Sequence, residues 1–362
     1  MKFPERVSEQ RRQVVDRIVA DMEGKELSWA ADWAPCWSPV NAATGKRYHG
    51  GNRLGLAAVA AERGLADPRW CTYRQAEEQG WHVRRGAKAA VVEKWKMLPA
   101  RAEGPFPEAV DAEPGEGEAA ERLVPVCVGY WSVFNARDVE GIPPLPERAP
   151  AELGEVGEVA DQFIESSRCP VREAEGGEAY YAPSRDVIVI PERSQFATPE
   201  GFLSTLLHEM THSTAPELGR KFVGHFGSPE YAREEFVAEL GSMFAAADAG
   251  LDCKAVAEAE QGGKHYDQHV AYLESWVAAL RKDPDELYRA AAKASTAAEY
   301  LGKRRRDLIE SRERDAEPTP VPDRGQAHEP EGFSLSDEAR DAQDAADAAV
   351  RGAAPAPEVA IA

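Results

Sequence analysis

Residues 208–212 read His-Glu-Met-Thr-His and lie in a segment whose apolar residues recur at helical spacing. Thr198 is a suitable cap for this helix, and Pro199 suits its first turn. Histidines four positions apart share one face of a helix, where two ring nitrogens can reach a single ion. The sequence therefore predicts a buried helix that supplies two zinc ligands, His208 and His212. The apolar residues that bury it are Phe202, Leu203, Leu206, Leu207 and Met210.

Glu209 follows the first histidine directly and projects about 100° away from it around the helix. From there its carboxylate can lie beside a bound zinc ion rather than coordinate it. Zinc lowers the pKa of its bound water towards ~7, and a neighbouring carboxylate can remove the proton. We therefore predict one Zn²⁺ ion, Glu209 as the catalytic base and hydrolysis of a peptide bond, the chemistry of a gluzincin-type metallopeptidase.

A catalytic zinc site needs a third protein ligand, and a downstream helical segment offers three glutamates. Glu235 and Glu239 are four positions apart on an otherwise apolar face, where an unpaired carboxylate would be costly. We predict Glu235 as the ligand and Glu239 as the acceptor of a zinc histidine's free ring N–H, and the reverse assignment stays open. Glu234 lies off this face and is predicted to be solvated. Other histidines that compete for the third position are His225, His265 and His269.

The organisation of the chain predicts an α+β protein with two domains. An N-terminal domain at residues 1–140 carries an acidic, Pro- and Gly-rich loop insertion at about 99–121. A Pro-rich linker at 141–152 precedes a second domain at 153–305, which contains the zinc motif. Residues 315–362, rich in Pro, Ala and Asp, are predicted to be a disordered acidic tail.

Several elements can be placed from hydrophobic patterning alone. Residues 86–95 and 124–134 are predicted strands on either side of the acidic loop, and residues 186–191 form a short apolar strand just before the zinc helix. We expect this last strand to be the sheet edge along which an extended peptide would lie. The other predicted helices span 6–23, 54–63, 156–166, 231–249, 266–281 and 285–301.

Charge is distributed unevenly along the chain. Residues 41–100 hold eleven Lys and Arg against five acids, whereas residues 315–362 hold eleven acids against three Arg. Cations interleaved with aromatic rings suit an unpaired nucleic-acid strand, because phosphates need positive charge and every base has a stacking face. A solvated basic face over a Trp-stabilised core is the alternative interpretation. The predicted DNA-binding residues are Lys46, Arg47, Tyr48, Trp70, Tyr73, Arg84, Arg85 and Lys88.

Further motifs give the chain a resemblance to a known family. The N-terminal pieces are Trp37-Ser38-Pro39, Thr44-Gly45-Lys46, Arg69-Trp70, Thr72-Tyr73, Gln75-Ala76 and Val83-Arg84. The C-terminal pieces are Tyr181-Ala182-Pro183, His-Glu-Met-Thr-His-Ser-Thr at 208–214, and Glu234-Glu235 with Val237-Ala238-Glu239-Leu240-Gly241. Over about residues 6–300 the chain resembles the ArdC-like antirestriction proteins of plasmids and phages.

The resemblance implies an N-terminal domain that binds single-stranded DNA and a C-terminal metallopeptidase-like domain, which together protect incoming DNA from host restriction. The protein substrate is unknown, with host restriction components as candidates. An alternative is a non-catalytic single-strand-binding protein whose zinc site is structural or vestigial. Five scattered cysteines without a Cys-x-x-Cys pair, and no apolar run of about 18 residues, favour a cytoplasmic protein without a membrane span.

Overall fold

A computed structural model describes residues 5–25, 38–99, 123–145, 153–221, 228–251 and 275–316 of the chain. Several predictions lie outside these residues. They include most of the acidic insertion, nearly the whole acidic tail, part of the linker, and the alternative ligands His225, His265 and His269.

The N-terminal part packs two long helices against a four-stranded sheet. The sheet has the order β1-β2-β5-β4, with β1 and β2 parallel and the other neighbours antiparallel. The predicted strands on either side of the acidic insertion are therefore paired as one long ribbon, β4–β5. The elements are α1 (Glu5–Lys25), β1 (Val40–Asn41), α2 (Gly50–Arg63), β2 (Arg69–Thr72), α3 (Tyr73–Glu78), β3 (His82–Val83), β4 (Ala90–Pro99), β5 (Leu123–Asn135) and β6 (Val139–Glu140).

The C-terminal part places a three-stranded sheet beside a group of helices. The sheet has the order β7-β9-β8, in which β9 pairs with parallel β7 on one side and antiparallel β8 on the other. The expectation that residues 186–191 form a sheet edge is therefore wrong, because both sides of β9 are hydrogen-bonded. The elements are α4 (Leu153–Glu165), β7 (Val171–Ala174), β8 (Tyr180–Ala182), β9 (Val187–Pro191), α5 (Pro199–Ser213), α6 (Pro229–Asp248) and α7 (Asp285–Ala316).

The helix that bears the zinc motif, α5, begins as its sequence predicts. The Thr198 hydroxyl accepts a hydrogen bond from the Gly201 amide, and Pro199 occupies the first turn. Its apolar residues are buried, and α6 crosses it closely at Gly241. A Cβ at Gly241 would lie 2.5 Å from Thr211 Cγ2, so only glycine permits this approach. The two helices are therefore held near enough for their polar side chains to meet.

Side chains from both parts of the chain belong to one hydrophobic core. Leu54 and Leu56 of α2 share it with Leu287 and Leu301 of α7. At this junction Gly51 faces the Tyr288 ring so closely that a Cβ would lie 2.4 Å from it. The α+β class is confirmed, while the boundaries between the two domains stay a prediction. None of the described helices is long and apolar enough to cross a membrane.

Buried charge also joins the two parts. Arg53 in α2 is only 1% exposed. It donates to Asp248 Oδ2 at 3.1 Å and to the Phe244 carbonyl at 3.1 Å, both in α6, and its guanidinium lies over the Phe244 ring. A buried guanidinium must be paired, so this contact fixes α2 against α6.

Candidate functional site

His208 and His212 face each other across one turn of α5. Both side chains are buried, and their Nε2 atoms are 3.2 Å apart. The four-residue spacing on a buried helix brings the two nitrogens together, and the packing of α6 fixes the direction of the rings. Both Nε2 atoms point at the same position between the two helices.

Glu235 of α6 completes a group of three. Its Oε2 lies 3.3 Å from His208 Nε2, and its Oε1 lies 3.5 Å from His212 Nε2. Ligands placed tetrahedrally at about 2.0–2.1 Å from zinc stand about 3.3–3.4 Å from one another. The two imidazole nitrogens match one edge of such a tetrahedron, and each lies within 3.5 Å of one of the two Glu235 carboxylate oxygens, so these residues could hold a divalent metal ion.

Two further glutamates of α6 contact the outer nitrogens of the histidines. Glu239 is fully buried, and its Oε2 lies 3.7 Å from His208 Nδ1. Glu234 Oε1 lies 3.6 Å from His212 Nδ1. Each imidazole therefore has its own carboxylate on the side away from the ion position, an arrangement that fixes the tautomer and orientation of metal-bound histidines.

The prediction that Glu234 is solvated is wrong, because Glu234 is only 9% exposed. Its carboxylate is held by Arg220, whose Nη2 donates to Oε1 at 3.0 Å. Arg220 also donates to the Thr211 carbonyl at 2.7 Å and to the Thr214 hydroxyl at 3.0 Å. Helical spacing could not reveal this, since Arg220 follows α5 in a separate turn and reaches across to α6.

The charges of the group are strongly coupled. Burial alone would lower the pKa of both histidines, but the Glu235 and Glu239 carboxylates hold the pKa of His208 well above its usual value. The charge of Glu235 and the contact with Glu234 raise the pKa of His212 to about 9. Burial would raise the pKa of Glu235, yet the two imidazoles hold it far below its usual range. These shifts favour a charged group of imidazoles and carboxylates, and a proton on a ligating nitrogen must leave before that nitrogen can bind a cation.

Glu209 is buried at the position after His208 and is not part of the three-residue group. It lies on the same helix as both histidines, turned away from their common face. Glu235, and not Glu209, therefore supplies the carboxylate of the three-residue group. It remains the predicted base.

The predicted DNA-binding residues divide into two sets. Lys46, Arg84, Arg85 and Lys88 are exposed, and Tyr73 is 55% exposed. Of the remaining three residues, Tyr48 and Trp70 are buried, whereas Arg47 is exposed and paired with Asp248.

Trp70 and Tyr48 offer no stacking face in this structure, being 1% and 7% exposed, and the expectation for these two rings is corrected. Trp70 belongs to β2, which lies between β1 and β5. The Tyr48 hydroxyl accepts from Asn41 Nδ2 at 3.2 Å, and burial raises its pKa to about 12. Arg47 is exposed but is engaged with Asp248, through Nε to Oδ1 at 3.3 Å.

Comparison with known families divides the chain into two matches. Residues 8–134 match the N-terminal domain of the anti-restriction factor ArdC. Residues 158–293 match the zincin-like metallopeptidases, and this stretch contains His208, His212 and Glu235.

Individual relatives match both parts together. A DNA primase TraC from Escherichia coli is 34% identical over 298 residues, which are 80% of this chain but 26% of that protein. A second TraC is 33% identical, and the match spans 19% of it. The chain thus spans about a quarter or less of these relatives. The uncharacterized protein y4eC of Sinorhizobium fredii is 32% identical, with 82% of this chain and 91% of the relative covered.

Solved structures of the antirestriction protein ArdC from plasmid R388 are also similar. The metal-free form has a TM-score of 0.58 at 30% identity, covering 82% of this chain and 98% of ArdC. The Mn(II)-bound form has a TM-score of 0.56 at the same identity. The fold is thus similar to that of a protein whose structure has been solved with Mn(II) bound.

Proposed function

The chain belongs to the family of ArdC-like antirestriction proteins, and on this premise we propose that it binds single-stranded DNA and hydrolyses peptide bonds at a zinc site. Its role would be to protect incoming plasmid or phage DNA in the cytoplasm from host restriction. The N-terminal residues to about 140 would bind the strand, and residues from about 153 would carry the hydrolytic site.

One observation carries the hydrolytic part of the proposal. The Nε2 atoms of His208 and His212 are 3.2 Å apart and both face the Glu235 carboxylate, so three residues could bind one ion and leave a fourth position for water or substrate. A closed structural site would use a fourth protein ligand. Two nitrogens and one carboxylate oxygen are also a donor set that suits zinc, and the Irving–Williams order favours zinc over manganese.

The residues of the chain have separate roles in this chemistry. A bound divalent ion would supply a water of lowered pKa and polarise the peptide carbonyl. Glu209 would accept the proton of that water and deliver it to the departing amine. Glu234 and Glu239 would hold the rings of His212 and His208 in their ligating orientations. Arg220 would keep Glu234 ionised and in place.

The exposed cations support the nucleic-acid part of the proposal. Lys46, Arg84, Arg85 and Lys88 all reach solvent from the N-terminal part. Phosphate contacts of this kind weaken as salt is added, because condensed counterions are no longer released on binding. We expect affinity for single-stranded DNA to fall steeply with ionic strength. Binding that is indifferent to salt would contradict the electrostatic part of the proposal.

Substitution of Glu209 by Gln tests the hydrolytic part. The amide keeps the size of the side chain but cannot take up a proton, so E209Q should retain zinc by elemental analysis and lose cleavage of fluorescently labelled casein. The assay is run with and without single-stranded DNA, in case the strand activates the site. Cleavage by E209Q at the wild-type rate would contradict the role of Glu209.

The same variant separates the proposal from a non-catalytic binding protein. In cells that restrict incoming plasmid DNA, E209Q should lose protection if hydrolysis is required. Protection that survives E209Q, but is lost when Lys46, Arg84 and Arg85 are replaced by Ala together, would identify strand coating as the function instead. Zinc content of the wild-type protein is measured in parallel, since a protein without metal would fail both assays trivially.

A further inference from the structure

The β4–β5 ribbon of the N-terminal part carries several large exposed hydrophobic side chains. Among the described residues, six such side chains are well exposed. Leu98, Val128 and Trp131 belong to the β4–β5 ribbon, and Tyr73 follows Thr72, which pairs with Val133 of β5. Among the exposed side chains of the ribbon strands, Trp131 is the one that offers a large flat ring.

Trp131 lies against the ribbon in an unusual manner. A Cβ at Gly129 would lie 2.6 Å from Cη2 and 2.9 Å from Cζ3 of the Trp131 ring. The six-membered part of the indole therefore fills the space where any other residue at position 129 would place its side chain. With one side supported by the strand, the ring is still 43% exposed. It is a fixed aromatic surface that faces solvent.

Cations stand on the same face of the ribbon. Lys94 pairs with Gly129, and Val92 pairs with Trp131, so Lys94 and Trp131 project to the same side. Lys96 and Leu98 follow Lys94 at the two-residue period of a strand, and all three are exposed. The register shift between Lys94 and Trp95 places the extra residue, Val128, in β5, so the alternation along β4 is kept. We call Trp131, Lys94 and Lys96 the ribbon platform.

We propose that the ribbon platform is a contact site for single-stranded DNA, with a base stacked on the indole of Trp131 and the neighbouring phosphates held by Lys94 and Lys96. The proposal rests on the proposed function, in which the chain binds an unpaired strand. It gives the aromatic role expected of Trp70 and Tyr48 to a ring that is accessible.

The chemistry of the platform favours an unpaired strand over other occupants. A supported indole offers a flat face to any base, and such stacking tolerates all sequences. Within a duplex the base faces are already stacked on one another, so the ring would contribute little. An apolar protein partner would have to cover two lysine ammonium groups, which is costly unless they are paired. A polyanion with flat rings matches both features.

The test measures binding of the full chain to labelled oligo(dT) by fluorescence anisotropy across a salt series. Stacking of one base contributes about 1–3 kcal/mol, so W131A should weaken binding by about fivefold or more. W131F keeps an aromatic face and should recover most of the affinity. Y180A, which removes an exposed aromatic side chain from β8, is the matched control and should bind as the wild type does.

Two further variants test the packing of the Trp131 ring on Gly129 and the charges of Lys94 and Lys96. G129A adds a methyl group beneath the indole and removes nothing that could touch DNA, so a loss of affinity would report on the position of the ring. Joint replacement of Lys94 and Lys96 by Ala should lower affinity and reduce the salt slope by about 0.7 for each lost phosphate contact. K293A, on an exposed position of α7, is the control for loss of charge.

The possible outcomes distinguish failure of the ribbon platform from failure of the proposed function. If the wild type binds oligo(dT) and both W131A and the double lysine variant bind equally well, the platform is wrong and single-strand binding lies elsewhere. If the wild type does not bind oligo(dT) at all, the proposed function fails and the platform fails with it. Equal weakening of single-stranded and duplex DNA by W131A would also contradict stacking, since the duplex offers no free base face.

Discussion

The candidate metal centre and the ribbon platform use charge in opposite ways. At the metal centre the ionisable side chains are buried and already in contact with partners, as Arg220 is with Glu234 and the histidines are with Glu235. On the ribbon the lysines stand in solvent beside one supported ring. The first arrangement fixes the positions of a few atoms, which a metal ion requires. The second suits a long ligand that varies in sequence and binds through many weak contacts.

The largest effect is expected at the metal ligand itself. E235A leaves only two donors and should lower zinc affinity by more than the roughly 10–100-fold that follows loss of an outer carboxylate. Purified E235A should contain almost no zinc by elemental analysis. E230A, an exposed glutamate at the start of the same helix, is the control and should retain it. Full zinc occupancy in E235A would show that another side chain completes the site.

Substitution of Trp70 tests whether buried aromatic residues stabilise the fold while exposed ones bind DNA. W70A removes a fully buried indole and should lower the free energy of unfolding by about 3–5 kcal/mol. The measurement is chemical denaturation, with W131A as the counterpart. We expect W131A to unfold as the wild type does and to lose DNA affinity instead. A W70A protein of normal stability that fails to bind oligo(dT) would reverse the assignment of the two rings.

Glu234 tests whether the buried carboxylates act on the metal through the histidines. E234A leaves the buried Arg220 without its carboxylate and should lower the free energy of unfolding by about 3–5 kcal/mol. It should also weaken zinc binding by about 10–100-fold. E234Q keeps a hydrogen-bond acceptor for His212 and should lose less affinity. Cobalt substitution gives a readout of ligand geometry, and an unchanged cobalt spectrum in E234A would contradict the orienting role.

The close approach of α5 and α6 can be altered without touching any polar group. G241A places a methyl group against Thr211 Cγ2 and should cost about 1–3 kcal/mol of stability, with a smaller loss of zinc affinity. G157A, in α4, meets no atom within 4 Å and should be neutral or slightly stabilising. Thr211→Ser removes the methyl group at 2.5 Å but keeps the hydroxyl at 2.9 Å, so combining it with G241A should restore part of the lost stability. Failure of that rescue would place the strain elsewhere.

The pH dependence of metal binding can be tested without any substitution. Since the pKa of His212 is raised to about 9 in the metal-free protein, zinc must displace a proton at neutral pH. Apparent zinc affinity should therefore rise with pH, by about tenfold per pH unit for each proton displaced, between pH 6 and 8. Competition titration with a chelator indicator measures it.

Local patterns predicted those features whose causes are local. The Thr198 cap, the burial of α5 and the pairing of the ribbon strands follow from residues near one another in sequence or from simple alternation. The spacing of His208 and His212 and of Glu235 and Glu239 also placed these residues on facing helices. Their individual roles at the metal remain predictions.

Features that depend on distant partners could not be predicted in this way. Trp70 and Cys71 are both buried because β2 is covered on both faces, so alternation gave no indication of which side chain was accessible. The central position of β9 depends on its pairing with β7, about sixteen residues earlier in the chain. Glu234 is buried because Arg220 reaches it from another segment. Glycine is needed at position 129 because the Trp131 ring, two residues further along the chain, packs against the strand there.

The contacts between the two parts limit which segments of the gene can be exchanged by recombination. Arg53 and Gly51 of α2 are each fitted to one partner, Asp248 and Tyr288, in the other half. Recombination could exchange only one half with a distant relative. The Arg53 guanidinium could then be buried without its carboxylate partner, and a side chain at position 51 could clash with the Tyr288 ring. The two halves should therefore be exchanged together, and the match to one TraC protein covers 80% of this chain.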